Sequence, residues 1–523
     1  MQPKNGDQQK KLRDPLPKNK PPTFATLHRA GKKGVEKLVT KAKAERNVLQ
    51  RIITAYDAGR EVDLGKILRH ELMNVPTAIA DSDGYLRSGN KSILSQVLCG
   101  DVECPALVYP TDIDSTLVID GQAFVMMLGQ PSDCNTFGQY ASKFVKRVLA
   151  FGKNFDRIDT TFDRYRDISI KSTTRGKRAR GCTPIRRAIE DSSVPLPRNW
   201  SNFLALEKNK EDLATFLSDE LLAQAPDDKI IIVAGGFKEE NTAKCNSEMD
   251  ITALQAYHEE ADTRIVLHCV HSNAEFLVVS SPDTDVLILL IAHFGKMKCK
   301  QLWLRMGTSK KPRHIPIHKV HESLRVQVPD IENILAFHAI TGCDTVSYFA
   351  GHSKKTSWKT FLEQPALLDG LGLGELTETT IHSAEKFICR VYDTNDVSCN
   401  DARATLFSRC RGPEALPPTS DAAQWHIRRA HYQALVWRQA NKTNPILPPI
   451  EEMGWDVING HLEPKLMSVA AIPKSCSLMV TCRCKCGCNT SKCSCRSAGL
   501  LCTGGCKCRR TPDHPCQNAS SLD

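Results

Sequence analysis

The 523-residue chain has no long hydrophobic run: its longest uninterrupted apolar stretch, Val286 to Ala292, is seven residues. A helix that crosses a bilayer needs about 20 apolar residues, so a spanning class is set aside and no membrane partner is expected. A charged-then-apolar leader is also missing, since the sequence opens MQPKNGDQQKKLRDPLPKNK. The expectation is a reducing compartment, in which thiols stay free or bind metal and do not pair as disulfides. No repeat recurs at solenoid periods, which excludes a stacked-repeat architecture. What is present is 41% hydrophobic and 25% charged residues, enough apolar material for at least one sizeable core.

The net charge of +11 is unevenly spread. Residues 1–50 hold 13 Lys/Arg against 4 Asp/Glu, residues 476–516 hold 7 against 1, and the stretch between is almost neutral. Basic ends around a neutral middle suit a polyanion, with DNA expected first and RNA as the alternative. Residues 1–32 are rich in Pro, Lys, Gln and Asn and poor in large apolar groups. They are expected to be a disordered basic tail, because too little surface can be buried to offset ordering entropy. Residues 33–110 are expected to be a helical lead-in: Val35, Leu38, Val39, Val48, Leu49, Ile52 and Ile53 recur at helical spacing, and Asp63 can cap a short helix holding Leu64, Ile67 and Leu68.

From about 115 to 350, apolar bursts of strand length alternate with helical patterns. The bursts are TLVID (116–120), RIDTTFD (157–163), KIIIVAGG (229–236), EFLVVSS (275–281) and QLWLRMG (301–307). The helical stretches are 138–151, 208–224, 251–271, 284–294 and 329–341. Strands separated by helices predict an α/β fold with a mostly parallel sheet covered on both faces. In such sheets ligands gather beyond the carboxyl ends of the strands. After Asp396 the rhythm stops: LPPTS (416–420) breaks the chain and caps a long helix through Ala440, and Pro445, Pro448 and Pro449 follow as a linker. Residues 396–472 are therefore expected to be a helical extension with a Pro-rich linker. His426, Arg429 and Tyr432 share one face of that helix, expected to be packed or solvated. His268, His271, His314, His318 and His321 have no cysteine or carboxylate at ligand spacing, so satisfied or surface histidines are expected.

Acids stand where strands have just ended: Asp120 after TLVI, Asp163 after Phe162, and Asp283 and Asp285 after FLVVSSP. Asp344 follows a helical stretch in ITGCDT, and Glu260 with Asp262 sit on the helix that the pattern starts near Ile251. Each alone can be a helix cap. Gathered together, so many carboxylates would drive one another to protonate unless cations were present. Mg²⁺ or Mn²⁺, which take oxygen ligands, would resolve the conflict. Two such ions suit in-line phosphoryl displacement.

The ordered set VIDGQAF, FDRYRDISIKSTTRGKR, HEEADTR, SSPDTDVL and AITGCDT resembles the flap-endonuclease-like branch of the PIN nucleases, over residues 111–395. The resemblance implies that Asp120, Asp163, Glu260, Asp262, Asp283, Asp285 and Asp344 hold two metal ions. In that family, basic residues after the second acid steer the scissile phosphate. Lys171, Arg175, Lys177 and Arg178 stand at similar offsets, with Lys171 and Arg178 seven apart, as on one helical face. The chain departs from the family in the roughly 115 residues before the first catalytic strand. It departs again in VSYFAGHSKKTSW, which stands where a glycine-rich helix-hairpin-helix segment is expected.

Eleven of the 22 cysteines lie between Cys476 and Cys516, in a segment with almost no large apolar residue. Such a segment has no core of its own, so metal must organise it. The series Cys482, Cys484, Cys488, Cys493, Cys495, Cys502, Cys506, Cys508 and Cys516 resembles the tesmin-like CXC domain, placed at residues 473–518. That resemblance implies three zinc ions on nine cysteines, with some sulfurs bridging, and binding to DNA. The arrangement of core and tail is similar to metazoan CXC-containing proteins. The function expected is a nuclear, Mg²⁺- or Mn²⁺-dependent nuclease brought to DNA by a zinc module. The alternative is a non-catalytic DNA- or chromatin-binding regulator that uses the PIN-like core as a scaffold.

Overall fold

The five apolar bursts form the parallel heart of a seven-stranded sheet. In the computed structural model the described residues are 64–471, without 101, 167, 172–182, 240, 309–310, 408–414 and 459, together with 482–484, 487–497, 499, 501–502, 506–509 and 516–518. Those from 64 to 471 belong to one compact unit and those of the cysteine-rich tail to another. The expected basic tail, the helical pattern before Leu64, and Arg175, Lys177 and Arg178 lie outside the described residues.

The strands are β1 Ser115–Asp120, β2 Arg157–Thr161, β3 Ile230–Ala234, β4 Ala243–Cys245, β5 Phe276–Ser280, β6 Gln301–Thr308 and β7 Lys311–Pro316. They run in the order β4-β3-β2-β1-β5-β6-β7. The inner five are parallel, and β4 and β7 add as antiparallel edges. The helices are α1 Leu64–Leu68, α2 Ser92–Cys99, α3 Gly121–Leu128, α4 Phe137–Phe151, α5 Trp200–Leu204, α6 Glu207–Ala223, α7 Ala261–His271, α8 Thr284–His293, α9 Ile317–Gln327, α10 Asn333–Ile340, α11 Lys354–Glu363, α12 Glu378–Val391, α13 Cys399–Phe407 and α14 Ser420–Arg438.

The period-2 alternation of the strands divides their side chains between two cores. Leu117, Ile119, Phe276 and Val278 face the aromatic-rich layer of α4 and α6. Val118, Leu277 and Val279 face α7, α8 and α10. Every residue of α8 is buried, which explains why its sequence is apolar all round. The chain builds outward from β1 through β2 to β3, then crosses to β5 and β6 on the other side. The order therefore reverses between β1 and β5, and the crevice beyond their carboxyl ends is the switch point at which open α/β sheets bind ligands.

Three expectations are corrected in detail. The helix expected from 251 begins only at Ala261, after a single 3-10 turn at Thr252–Leu254. The buried Arg264 donates to the carbonyls of Ala256 and His258 at 3.0 and 2.8 Å, which satisfies backbone groups that a helix would otherwise have paired. Glu260 thus stands at the N-cap of α7 and not inside a helix. The Pro-rich passage is not a free linker: a 3-10 turn at Ile450–Met453 leads into a hairpin of β8 Trp455–Ile458 and β9 His461–Pro464. This passage packs on α14, where Arg429 Nη1 donates to the carbonyls of Gly454 and Lys465 at 3.0 and 2.5 Å. His426 and Arg429 are buried, the packed member of the two options, and His268 is buried against Asp159. Among the described residues no helix is long and apolar enough to cross a membrane.

Candidate metal centre

The carboxylates arrive from five elements at one edge of the sheet. Asp120 ends β1 and caps α3, accepting from the Ala123 N–H at 2.9 Å. Its other oxygen accepts from the Ser281 hydroxyl at 3.1 Å, and that hydroxyl accepts from the Asp283 N–H at 3.2 Å, so one serine ties the end of β1 to the start of α8. Asp163, two residues past β2, accepts from the Ala261 N–H at 2.8 Å and is thereby fixed against the start of α7. Glu260 and Asp262 flank that same residue. Asp283 caps α8 and accepts from the Asp285 N–H at 2.9 Å. Oxygens of Asp262, Asp283 and Asp285 lie within 4.8 Å of one another.

Two lysines stand among these acids. Lys171, in a turn after β2, places Nζ 2.9 Å from Glu260 and 3.9 Å from Asp262. Lys91, at the start of α2, places Nζ 3.1 Å from Asp283, 2.8 Å from Asp285 and 3.3 Å from Asp344. All seven acids singled out in the sequence are thus joined directly, through Ser281 or Ala261, or through one of the two lysines.

The electrostatics follow from burial and the crowding of like charges. Burial first, and then the charge of Asp163, push Asp120 up to about 7. Burial also raises Glu260, Asp262 and Asp283, against the pull of the lysines. Asp285 is the exception: burial works to raise it, but Lys91 and a hydrogen bond from His338 hold it well below the usual carboxylate range. Burial opposes the charge of Lys91, yet Asp285, Asp283 and Asp344 more than offset this and keep it protonated.

Behind Asp285 stands a buried relay that the sequence did not announce. His338 Nε2 lies 2.8 Å from Asp285 Oδ1, and its Nδ1 lies 2.9 Å from Lys354 Nζ. Burial, with the charge of Lys354 next, pushes His338 down to about 4. The neutral ring therefore donates from Nε2 to Asp285 and accepts at Nδ1. Lys354 Nζ also donates to the His338 carbonyl and the Thr341 hydroxyl, both at 2.9 Å, so its three donors are used. Trp437 stacks on the imidazole at 5.1 Å and 12°. A histidine locked in this way fixes the carboxylate it serves, the arrangement that commonly surrounds metal ligands.

The donor set is all carboxylate oxygen, which suits a hard cation such as Mg²⁺ or Mn²⁺. An ammonium already held by three of the carboxylates shows that the crevice accommodates positive charge. The residues present therefore fit divalent ions.

The tail offers a second donor set, made of sulfur. Its described thiols are buried or half-buried and free of disulfides. Neighbouring Sγ atoms stand 3.5 to 3.9 Å apart, for example Cys482 with Cys508 and Cys493 with Cys502. That is close to the edge of a tetrahedron with metal–sulfur distances of about 2.3 Å. Four overlapping sets of four can hold an ion, and together they use all nine cysteines: 482/484/488/493, 482/493/495/502, 482/502/506/508 and 488/502/508/516. Cys482 and Cys502 each recur in three sets, as sulfurs shared between ions would.

No family model matches the chain, and no curated protein does. Solved structures similar to it include a T5 protein co-crystallised with metal ions and the bacteriophage T5 flap endonuclease in a pseudo-enzyme-product complex with DNA and metal ions. Each shares 14% identity at a TM-score of 0.30, over 61% of this chain and 99% of the other.

Proposed function

We propose that this chain is a Mg²⁺- or Mn²⁺-dependent nuclease of the flap-endonuclease-like PIN type, recruited to DNA by a tesmin-like CXC module that holds three zinc ions. The observation that carries the proposal is the meeting of Asp262, Asp283 and Asp285 within 4.8 Å at the switch point, with four further acids tied to them. Asp283, Asp285 and Asp344 would hold one ion, Asp120, Asp163 and Glu260 the other, and Asp262, within 4.8 Å of Asp283 and Asp285, would stand between the two. When bound, such ions lower the pKa of an attacking water and neutralise charge on the scissile phosphate. The chain's own residues do the rest. His338 orients Asp285. Lys171, with Arg175, Lys177 and Arg178 after it, supplies positive charge to position a phosphate. The tail adds Arg483, Lys492, Arg496 and Lys507 for phosphate contact that is salt-sensitive and weakly sequence-selective. DNA is the expected substrate and the nucleus the expected location.

A second reading draws on the same lysines. Lys91 and Lys171 already balance five of the carboxylates, as a non-catalytic scaffold that binds DNA or chromatin through its tail would require. Turnover separates the two. The zinc-loaded full chain is incubated with single-stranded, duplex and branched DNA and with RNA, in Mg²⁺, Mn²⁺ or chelator. Cleavage of at least one substrate that depends on the divalent ion supports the nuclease. Binding without cleavage of any of them moves the assignment to the scaffold.

A further inference from the structure

Lys91 comes from the lead-in that precedes the first sheet strand, 192 residues away from Asp283 in sequence. Its ammonium is within 3.4 Å of both oxygens of Asp283, and it touches Asp285 and Asp344 as well. Lys171 serves the other half, Glu260 and Asp262.

The backbone that carries Lys91 is built into the core. Leu94, Leu98 and Cys99 of α2 are buried. Arg87 Nε donates to the Thr77 carbonyl at 2.9 Å, and the Arg87 carbonyl accepts from the Tyr348 N–H at 3.2 Å. Gly89 lies so close to Tyr348 that a Cβ there would sit 3.1 Å from it. Position 91 is thus anchored to the loop that bears Asp344, whereas the side chain beyond it is a flexible four-carbon stem, 21% exposed. An ammonium and a divalent ion compete for oxygens this close, because like charges repel at such separations.

We propose that Lys91 is a tethered counterion that a divalent ion must displace in order to load the Asp283, Asp285 and Asp344 half of the site. The proposal rests on the metal-site assignment made above. It makes the lead-in a determinant of how much free metal the protein needs: the ammonium swings toward solvent when this half fills.

The test is calorimetric titration of Mn²⁺ into the zinc-loaded full chain, with Asp285→Asn defining which heat belongs to this half. Lys91→Ala is expected to tighten the Mn²⁺ step that Asp285→Asn abolishes by tenfold or more. It should also lower the melting temperature of the metal-free protein, since the acids lose their counterion. Lys91→Arg, which keeps the charge, is expected to bind Mn²⁺ within a few-fold of wild type, and it guards against a packing effect at this position. Equal or weaker Mn²⁺ binding by Lys91→Ala, with Asp285→Asn still abolishing the step, overturns the role of Lys91 and leaves the metal site standing. No Mn²⁺ bound by any variant overturns both.

Discussion

Asp120 illustrates how a single carboxylate records the purpose of the crevice. It is buried, sits near Asp163, and is pushed up to about 7 by burial first and that neighbour second. A carboxyl raised in this way binds its proton more tightly in the folded chain than in the unfolded one. Its contribution is intact below the ordinary value of 3.8 and is lost as pH rises through about 7. The displacement corresponds to on the order of 4 kcal/mol over that window. Asp120→Asn keeps the cap to Ala123 and removes the titration, so the metal-free variant is expected to melt increasingly above wild type as pH is raised from 5 to 8. Saturating Mg²⁺ should erase or reverse the gain, and a pH-independent difference in melting temperature would contradict the assignment. Asp120, Asp163, Asp283 and Asp285 stood out in the sequence because each follows an apolar burst, whereas Glu260, Asp262 and Asp344 joined them only through the ordered set of motifs. Lys91, His338 and Lys354 did neither. They reach the site through contacts that the fold makes across long separations, and no spacing between positions 91, 285, 338 and 354 encodes those contacts.

Among the elements, the five parallel strands and the long helices were legible because their apolar residues recur at clear periods. The two edge strands were not. β7 reads KPRHIP, whose prolines and charges suit a solvent edge and resemble a loop in sequence, and β4 has only three residues. The C-terminal hairpin escaped notice for the same reason, since the prolines before it signal a break. Besides the Arg429 hydrogen bonds, its attachment needs one backbone conformation: Gly454 has φ +83°, and a Cβ there would meet the Trp425 carbonyl at 2.8 Å. Gly454→Ala is accordingly expected to cost about 1–3 kcal/mol of stability. A thermal melt checks this, and an unchanged melting temperature would show that the hairpin does not dock through Gly454. Because α14 also contributes Trp437 behind His338, the loss should be accompanied by weaker Mn²⁺ binding.

At the scale of the whole molecule, an oxygen-lined crevice and a sulfur-rich tail lie in separate compact units. The tail has almost no apolar core, so residues 474–523 are expected to bind about three zinc ions and to lose structure in a strong chelator. Metal analysis that gave one ion or none would remove the CXC assignment. If the tail supplies affinity through phosphate contacts, deleting residues 476–523 should weaken DNA binding and flatten its salt dependence, because fewer counterions are released per binding event. An unchanged salt slope would point to a protein partner for the tail. Single-turnover cleavage at saturating DNA with Asp262→Asn and Asp283→Asn tests the role of the carboxylates most directly. Each change keeps side-chain shape and removes a charge that metal needs, and metal supplies several kcal/mol of charge stabilisation. Both variants should therefore bind DNA as wild type does and cleave it roughly 10²- to 10⁴-fold more slowly. Variants that cleave at the wild-type rate in the same Mg²⁺ or Mn²⁺ would contradict the claim that this crevice hydrolyses phosphodiesters.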